Sequence, residues 1–479
     1  MQRSFLFFML IGLSAQPAAG QALKRPHIIF IIADDVSWND IGCYGNPFVR
    51  TPHIDKIAKE GIRFENAFLT ISSCSPSRNS ILSGRYPHNT GAAELHTPLP
   101  EDQVPFPLLL KESGYYTVQA GKSHFGAPAL RAFDKAYELK EAGTGGEERW
   151  VRCLRERPRD KPVFAWFAST DAHRKWQADD FDTPHDPDKV IVPPYLADTR
   201  STREDIASYY NEISRLDHYV GEVVKELRAQ GIEKNTLILI MADNGRPFPR
   251  DKTRLYDSGI KTPFIIKWTE GINNPGSVSE SMISAVDIAP TLLEIASVES
   301  IRAIQGKSFR KLLSNPSLPF REHVFAEHNW HDYEAYERMV RTREFLYIFN
   351  ARPSLSNQGP ADSNTSPSFD DLKKLRDEGR LTAAQNDIFM APRPYEELYD
   401  NAKDPMQLVN LASVPEYREA LEQLRAVLHQ WQKETKDNIP ANLTTDWFDR
   451  ETGERLRGEK VRGEMPGSAT GATEVILKP

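Results

Sequence analysis

His27-Ile28-Ile29-Phe30-Ile31-Ile32-Ala33-Asp34-Asp35 decides the fold. A short apolar run, β-branched and aromatic, that stops at two aspartates reads as a buried strand with acidic residues at its carboxyl end. The same grammar returns at Val163–Ala168, ending near Asp171 and His173, and at Thr236–Ala242, ending at Asp243-Asn244. A less regular run over 115–120 precedes Gly121-Lys122. Between the runs lies helical periodicity. Ile206, Tyr210, Ile213, Leu216, Val220, Val223 and Leu227 step by three and four and stop at Gly231. Strands alternating with helices predict an α/β sheet with helices on both faces. Ligands of such sheets bind beyond the carboxyl ends of the strands, so the polar residues at these ends stand where chemistry is expected.

The chain has 479 residues, 39% of them hydrophobic, which is enough for a large core and more than one domain. Its net charge of −7, from 60 basic and 67 acidic residues, gives no footprint for nucleic acid. An anionic substrate stays open, because a local cluster of cations can still bind one. Met1-Gln2-Arg3, an apolar run over 4–13 and Ala18-Ala19-Gly20-Gln21-Ala22 read as a secretory signal peptide occupying 1–22. That run is well short of the roughly 20 residues that span a bilayer. The expected mature protein is exported, periplasmic or secreted, with no membrane span. Three cysteines, Cys43, Cys74 and Cys153, are too few for a disulfide framework, so stability is expected from the core.

The catalytic part is expected over 23–320. Beyond it the texture changes: 339–349 is strand-like, 351–368 is a loop rich in Pro, Ser and Asn, and 396–399 reads as a short strand. Tyr417, Leu421, Leu424, Leu428 and Trp431 mark an amphipathic helix. A smaller α+β domain on an antiparallel sheet is expected over 321–457, followed by a loosely ordered tail over 458–479. No internal repeat is visible.

Asp34, Asp35, Asp243 and Asn244 are oxygen donors of the kind that hard divalent cations take, and calcium accepts several carboxylates with an amide. Either pair alone would more simply cap a helix or turn. Lys122 and His124 follow one strand, and Asp171, His173 and Arg174 follow another. Lys252 lies beside the second acidic pair. With Arg78 and a divalent ion, these cations could hold a tetrahedral oxyanion such as sulfate or phosphate.

The run Ser73-Cys74-Ser75-Pro76-Ser77-Arg78, with Leu82-Ser83-Gly84-Arg85 after it, resembles the signature of the formylglycine sulfatases. Asp34-Asp35, Thr51-Pro52-His53-Ile54-Asp55, Gly121-Lys122-Ser123-His124, His173, Asp243-Asn244 and the Lys252 segment follow the order of that family over nearly the whole mature chain. Ser123 departs from it, standing where an aromatic residue is common. Asp171-Ala172-His173-Arg174, Asp243-Asn244-Gly245-Arg246-Pro247-Phe248-Pro249 and Trp431-Gln432-Lys433-Glu434-Thr435 look closest to the sulfamidases (N-sulfoglucosamine sulfohydrolases). Lys252 is the exception, since sulfamidases would carry arginine there and O-sulfatases lysine.

The resemblance implies an alkaline-phosphatase-like α/β sandwich, a large mixed sheet between helices. It also implies one calcium ion on Asp34, Asp35, Cys74, Asp243 and Asn244, and Cys74 converted to formylglycine by a formylglycine-generating maturation enzyme. Cys43 and Cys153 would then be left to pair or to stay thiols. The hydrated aldehyde would attack sulfur, helped by Asp243. His173 and Lys252 would bind sulfate and protonate the leaving group, His124 would take the proton whose loss expels sulfate, and Arg78 and Lys122 would hold the diol. Asp171, Arg174 and His328 are the expected contacts to a sulfated sugar or oligosaccharide. A homodimer is left open. Two other readings stand beside this one: a phosphonate or phosphodiester hydrolase of the same superfamily, and a glycan-binding homologue in which Cys74 stays a thiol.

Overall fold

In the computed structural model, which describes residues 25–477, His27–Ala33 forms strand β1 with all seven residues buried. The expected signal peptide lies outside the described residues. Along the chain follow β2 (Ile62–Phe64), β3 (Ala67–Phe68), β4 (Tyr116–Gly121), β5 (Lys135–Tyr137) and β6 (Val163–Ala168). Then come β7 (Thr236–Ala242), β8 (Phe264–Lys267), β9 (Ser277–Ser279) and β10 (Ile283–Ser284). Eight of them make one sheet in the order β5-β4-β6-β1-β7-β8-β2-β9, while β3 and β10 pair separately. The five strands from β5 to β7 are parallel, and β8 runs against both β7 and β2, so the sheet is mixed.

The unbroken apolar runs are explained by burial on both sides. Successive side chains of a strand point to opposite faces. In β1, Ile29, Ile31 and Ala33 enter one apolar cluster while Ile28, Phe30 and Ile32 enter another. β6 and β7 divide in the same way. The helix Arg200–Ala229, capped by the Thr199 side chain, lays Ile206, Tyr210, Ile213, Leu216, Val220, Val223 and Leu227 on the first face. The second face is covered by Ile81 and Leu82 of the helix Cys74–Ser83 and by Leu292 of Ile288–Ile295. Phe30 stacks on Trp166 at 4.7 Å on this side, and Trp150 on Phe167 at 5.4 Å on the other. Each large side chain buried here contributes about 1.5–3 kcal/mol.

A second sheet is antiparallel, in the order β11 (Val324–His328), β12 (Glu337–Arg341), β13 (Phe345–Asn350), β14 (Glu396–Asp400). The stretch 339–349, expected as one strand-like run, is two strands. The chain reverses between them, where the backbone N–H of Phe345 donates to Thr342 Oγ1 at 2.9 Å. One face of this sheet carries Leu421, Leu424, Leu428 and Trp431 of the helix Arg418–Thr435. The other packs Met339, Leu346 and Ile348 on Phe68, Leu255, Tyr256 and Ile260, so an apolar seam joins it to the first part of the chain. The 351–368 stretch is not all loop. It contains the helix Ala361–Asn364 and leads into the helix Pro367–Asp377.

The tail expected to be loosely ordered is fastened. Arg462 donates to Glu94 at 2.8 Å and lies over the rings of Trp330 and Trp447. Arg85 and Asn89 donate to the carbonyls of Thr473 and Ala472, each at 2.8 Å, and Ala472 is fully buried. Low hydrophobicity suggested disorder; specific polar docking onto buried partners overrides it. Cys43, Cys74 and Cys153 form no disulfide with one another. Among the described residues no helix is long and apolar enough to cross a membrane.

Candidate active site

The carboxyl ends of β1 and β7 lie side by side in register, Ala33 against Ala242, so Asp34-Asp35 and Asp243-Asn244 emerge together. All three aspartates are fully buried. The backbone N–H of Asp35 donates to Asp243 Oδ1 at 3.2 Å, and Asp35 itself has φ 58, a left-handed conformation that aspartate tolerates better than most side chains.

Cys74 opens a helix, Cys74–Ser83, whose ten residues are all buried. Ser73 before it is extended, which turns the chain so that the first helical side chain faces the acidic cluster. Cys74 Sγ lies 3.7 Å from Asp34 Oδ1 and 3.8 Å from Asp35 Oδ1. Burial pushes its thiol well above the usual range, against the pull of Lys122 and Lys252. Arg78 follows four residues later, on the same face of the helix. Its Nε donates to Asp243 Oδ2 at 2.8 Å, its Nη1 to the Lys122 carbonyl at 2.5 Å, and its Nη2 lies 3.7 Å from Asp34.

β4 delivers Lys122. Gly121 at its end has φ 99, and a Cβ there would meet the Ala168 carbonyl oxygen at 1.8 Å, so only glycine lets β4 close on β6. Lys122 then bonds through its backbone N–H to that oxygen and pairs through Nζ with Asp34. His124, at φ 54, shares a 2.8 Å hydrogen bond with His96. Burial and the charges of Lys122 and Arg78 hold His124 far below the usual imidazole range, so it is neutral. Lys252 Nζ donates to Asp35 at 2.7 Å and to Asp362 at 3.0 Å. Burial works against its charge, but Asp35 and Asp362 outweigh it and raise its pKa. His173 bonds through Nδ1 to the Arg174 carbonyl, so that nitrogen carries the proton; Nε2 lies 3.6 Å from Asp362 and 3.9 Å from Asp35.

These groups line a cavity of about 410 Å³ that Cys74, His124, His173 and Lys252 share with His331, Asp332 and Asp362. A pocket with buried Lys252 and several imidazoles beside an acidic cluster fits a tetrahedral oxyanion, held by hydrogen bonds from charged donors. The acidic cluster fits a hard cation. Asn244 presents Nδ2 to Asp35 Oδ1 at 2.5 Å, while its own Oδ1 is buried without a partner. With the amide turned over, the oxygens of Asp34, Asp35, Asp243 and Asn244 would converge as calcium requires.

The family model described as Sulfatase matches residues 26–143 and 148–298. The chain belongs to the sulfatase family. It is thus a sulfuric ester hydrolase by family. The N-sulphoglucosamine sulphohydrolase of Homo sapiens is 32% identical over 463 residues, covering 87% of this chain and 92% of that protein. An ulvan-active sulfatase of Formosa agariphila is 32% identical over 466 residues, covering 85% and 75%. The solved structure of BT4656 in complex with its substrate D-glucosamine-2-N,6-O-disulfate superposes with a TM-score of 0.68 at 22% identity, covering 86% of this chain and 98% of that one. The large mixed sheet and the small antiparallel one are thus a sulfatase fold.

Within this sulfatase, ten of the residues singled out by sequence meet at the cavity or the acidic cluster: Asp34, Asp35, Cys74, Arg78, Lys122, His124, His173, Asp243, Asn244 and Lys252. Three others do not. Arg174 points its guanidinium at Asp205, with two bonds of 2.7 Å, and packs between Trp176 and Phe248. Asp171 is fully buried and takes a bidentate pair from Arg215 at 2.8 and 2.6 Å. His328 lies in β11, buried against Glu337 at 2.9 Å. Expected as sugar contacts, these three instead hold elements together, because each found a buried hydrogen-bonding partner.

Sequence reasoning missed His96, His331, Asp332 and Asp362. His331, three residues past His328, shares a 2.6 Å hydrogen bond with Ser73, next to Cys74. All four come from irregular stretches or a one-turn helix, where no periodicity marks a residue, and three of them lie beyond residue 320.

Proposed function

We propose that this sulfatase is exported and removes sulfate from a sulfated saccharide, using formylglycine at position 74 and one calcium ion. The observation that carries this reading is the placement of Cys74 at the head of a buried helix, within 3.8 Å of two aspartates and on the wall of a cationic cavity. A maturation enzyme that generates formylglycine would act on the Cys74 run before folding, since the folded chain buries all of it. A saccharide substrate is supported by the relatives, one named for N-sulphoglucosamine and another for ulvan. N-desulfation of glucosamine and O-desulfation of a polysaccharide fragment are the two forms of this reading. Lys252, in the place where sulfamidases would carry arginine, favours keeping the second in the test.

Asp34, Asp35, Asp243 and Asn244 would hold calcium, which supplies a Lewis acid against the sulfate oxygens. The hydrated aldehyde at 74 would supply two hydroxyls on one carbon, one to attack sulfur and one whose deprotonation releases sulfate. Lys252 and His173 bind sulfate oxygens from the cavity side. With Nδ1–H held by the Arg174 carbonyl, His173 would act in its imidazolium form, giving the second proton, on Nε2, to the departing sugar oxygen or nitrogen. Neutral His124 takes the proton from the second hydroxyl. Arg78 and Lys122 fix Asp243 and Asp34 and balance negative charge near residue 74.

Sulfate release from defined N- and O-sulfated mono- and disaccharides, beside matched phosphate esters, tests the reading. Release from at least one sulfated sugar is expected. Dialysis against a calcium chelator should lower it on the order of 100-fold, and added calcium should restore it. Faster turnover of the phosphate ester would favour the phosphodiesterase reading, and chelator-resistant turnover would remove the metal from it.

A further inference from the structure

The cavity contains a group that a sulfate site does not call for. Asp362, on the helix Ala361–Asn364, lines the same cavity as Cys74 and lies beside the two side chains expected to bind sulfate. Its Oδ2 is 3.0 Å from Lys252 Nζ and 3.6 Å from His173 Nε2. Its Oδ1 accepts the backbone N–H of Ser363 at 2.8 Å, and the Ala361 N–H donates to Asp332 at 3.1 Å, so the turn and the carboxylate are fixed. Asp34, Asp35 and Asp243 are closed off in the acidic cluster; the Asp362 side chain is 24% exposed and opens on the cavity.

Neutralising Lys252 does not explain Asp362, because Asp35 already pairs with that ammonium at 2.7 Å. Toward a bound sulfate, a carboxylate only repels. It is a pure acceptor, and apart from a cation what it can bind is an O–H or N–H donor. The donor must belong to the sugar, next to the bond being cut, because Asp362 touches the same His173 nitrogen that faces the leaving atom. Asp332 lies on the same wall and adds a second carboxylate against any anion placed there.

We propose that Asp362 is a specificity-determining residue. It requires a free hydroxyl or amine vicinal to the scissile sulfate and rejects a second sulfate or a carboxylate at that position. Attraction toward the right sugar and repulsion of the wrong one come from the same oxygen atoms. The proposal rests on the saccharide sulfatase reading and narrows its substrate class to units whose neighbouring position is unsubstituted.

The test compares kcat/KM for two sugars sulfated at the same position, one with a free vicinal hydroxyl and one with that hydroxyl also sulfated. The wild type should prefer the first by on the order of 10- to 100-fold, the range expected from one charge-assisted hydrogen bond gained or lost. Asp362→Asn, equal in size and uncharged, should lose rate on the first sugar and narrow the preference at least severalfold. Asp362→Glu, which keeps the charge, should preserve the preference even where it lowers the rate. Equal losses on both sugars in Asp362→Asn, with the preference intact, would mean a structural role and overturn the proposal. Wild-type enzyme that hydrolyses an aryl sulfate but neither sugar would instead sink the saccharide reading on which the proposal stands.

Discussion

Replacing Cys74 by serine is expected to lower kcat on the order of 10⁴-fold or more while leaving the fold in place. The chemistry assigned to residue 74 needs two hydroxyls on one carbon. Serine has one, so after a single attack on sulfur it has no second O–H to deprotonate, and the sulfate stays attached. The enzyme would stop after one turnover, and a mass increase corresponding to one sulfate on that peptide would record it. The fold should survive because residue 74 makes no strong bond in the core: its sulfur has weak contacts of 3.7 and 3.8 Å to aspartates and lies on a cavity wall. Circular dichroism and the denaturant midpoint should match the wild type closely. Full activity in Cys74→Ser would exclude residue 74 as the nucleophile.

The largest expected effect on stability comes from Arg78. Its guanidinium is fully buried and serves three partners at once: Asp243, Asp34 and the Lys122 carbonyl. Replacing a buried pair by apolar groups on both sides is often neutral, but removing one partner leaves the other charge stranded. Arg78→Met does the second. It should cost about 3–5 kcal/mol, read as a lower urea midpoint with an unchanged slope. Arg78→Lys keeps the charge but has no planar fork to reach both the Asp243 carboxylate and the Lys122 carbonyl, so it should recover part of the stability and little of the rate. If Arg78→Met unfolded at the wild-type midpoint, the buried network would not be holding the two strand ends together.

The site was legible in the sequence where it is built from strand ends. β1, β6 and β7 are apolar without interruption because helices cover both faces, and the residues after them project to one edge by the geometry of parallel strands. That is why Asp34, Asp35, Asp243 and Asn244 could be grouped without a structure, and why Lys122, His124 and His173 followed. The errors share a different physical origin. Arg174 and Asp171 lie on the same kind of strand-end segment, but their charges are consumed by Asp205 and Arg215, 31 and 44 residues away on the long helix. A single sequence does not display such pairings. His328 and His331 are separated by three residues, and the end of β11 decides that the first is locked to Glu337 while the second reaches Ser73. Asp362 was hidden most completely. It stands in a stretch whose composition says loop, and only the packing of the second sheet against Phe68 and Tyr256 brings that stretch to the cavity.

On the proposed reading, the residues that would bind sulfate come from the α/β sheet, and those that would face the sugar from loops that the second sheet positions. A shared sheet edge can hold sulfate while the facing loops choose the sugar.

The central claim is that residue 74 works as an aldehyde and not as a thiol. Mass spectrometry of the peptide containing residue 74, taken from active enzyme made in its native host, tests this most directly. The account predicts the mass of formylglycine at position 74, with the fraction converted rising in step with specific activity. An intact Cys74 in fully active enzyme would contradict it.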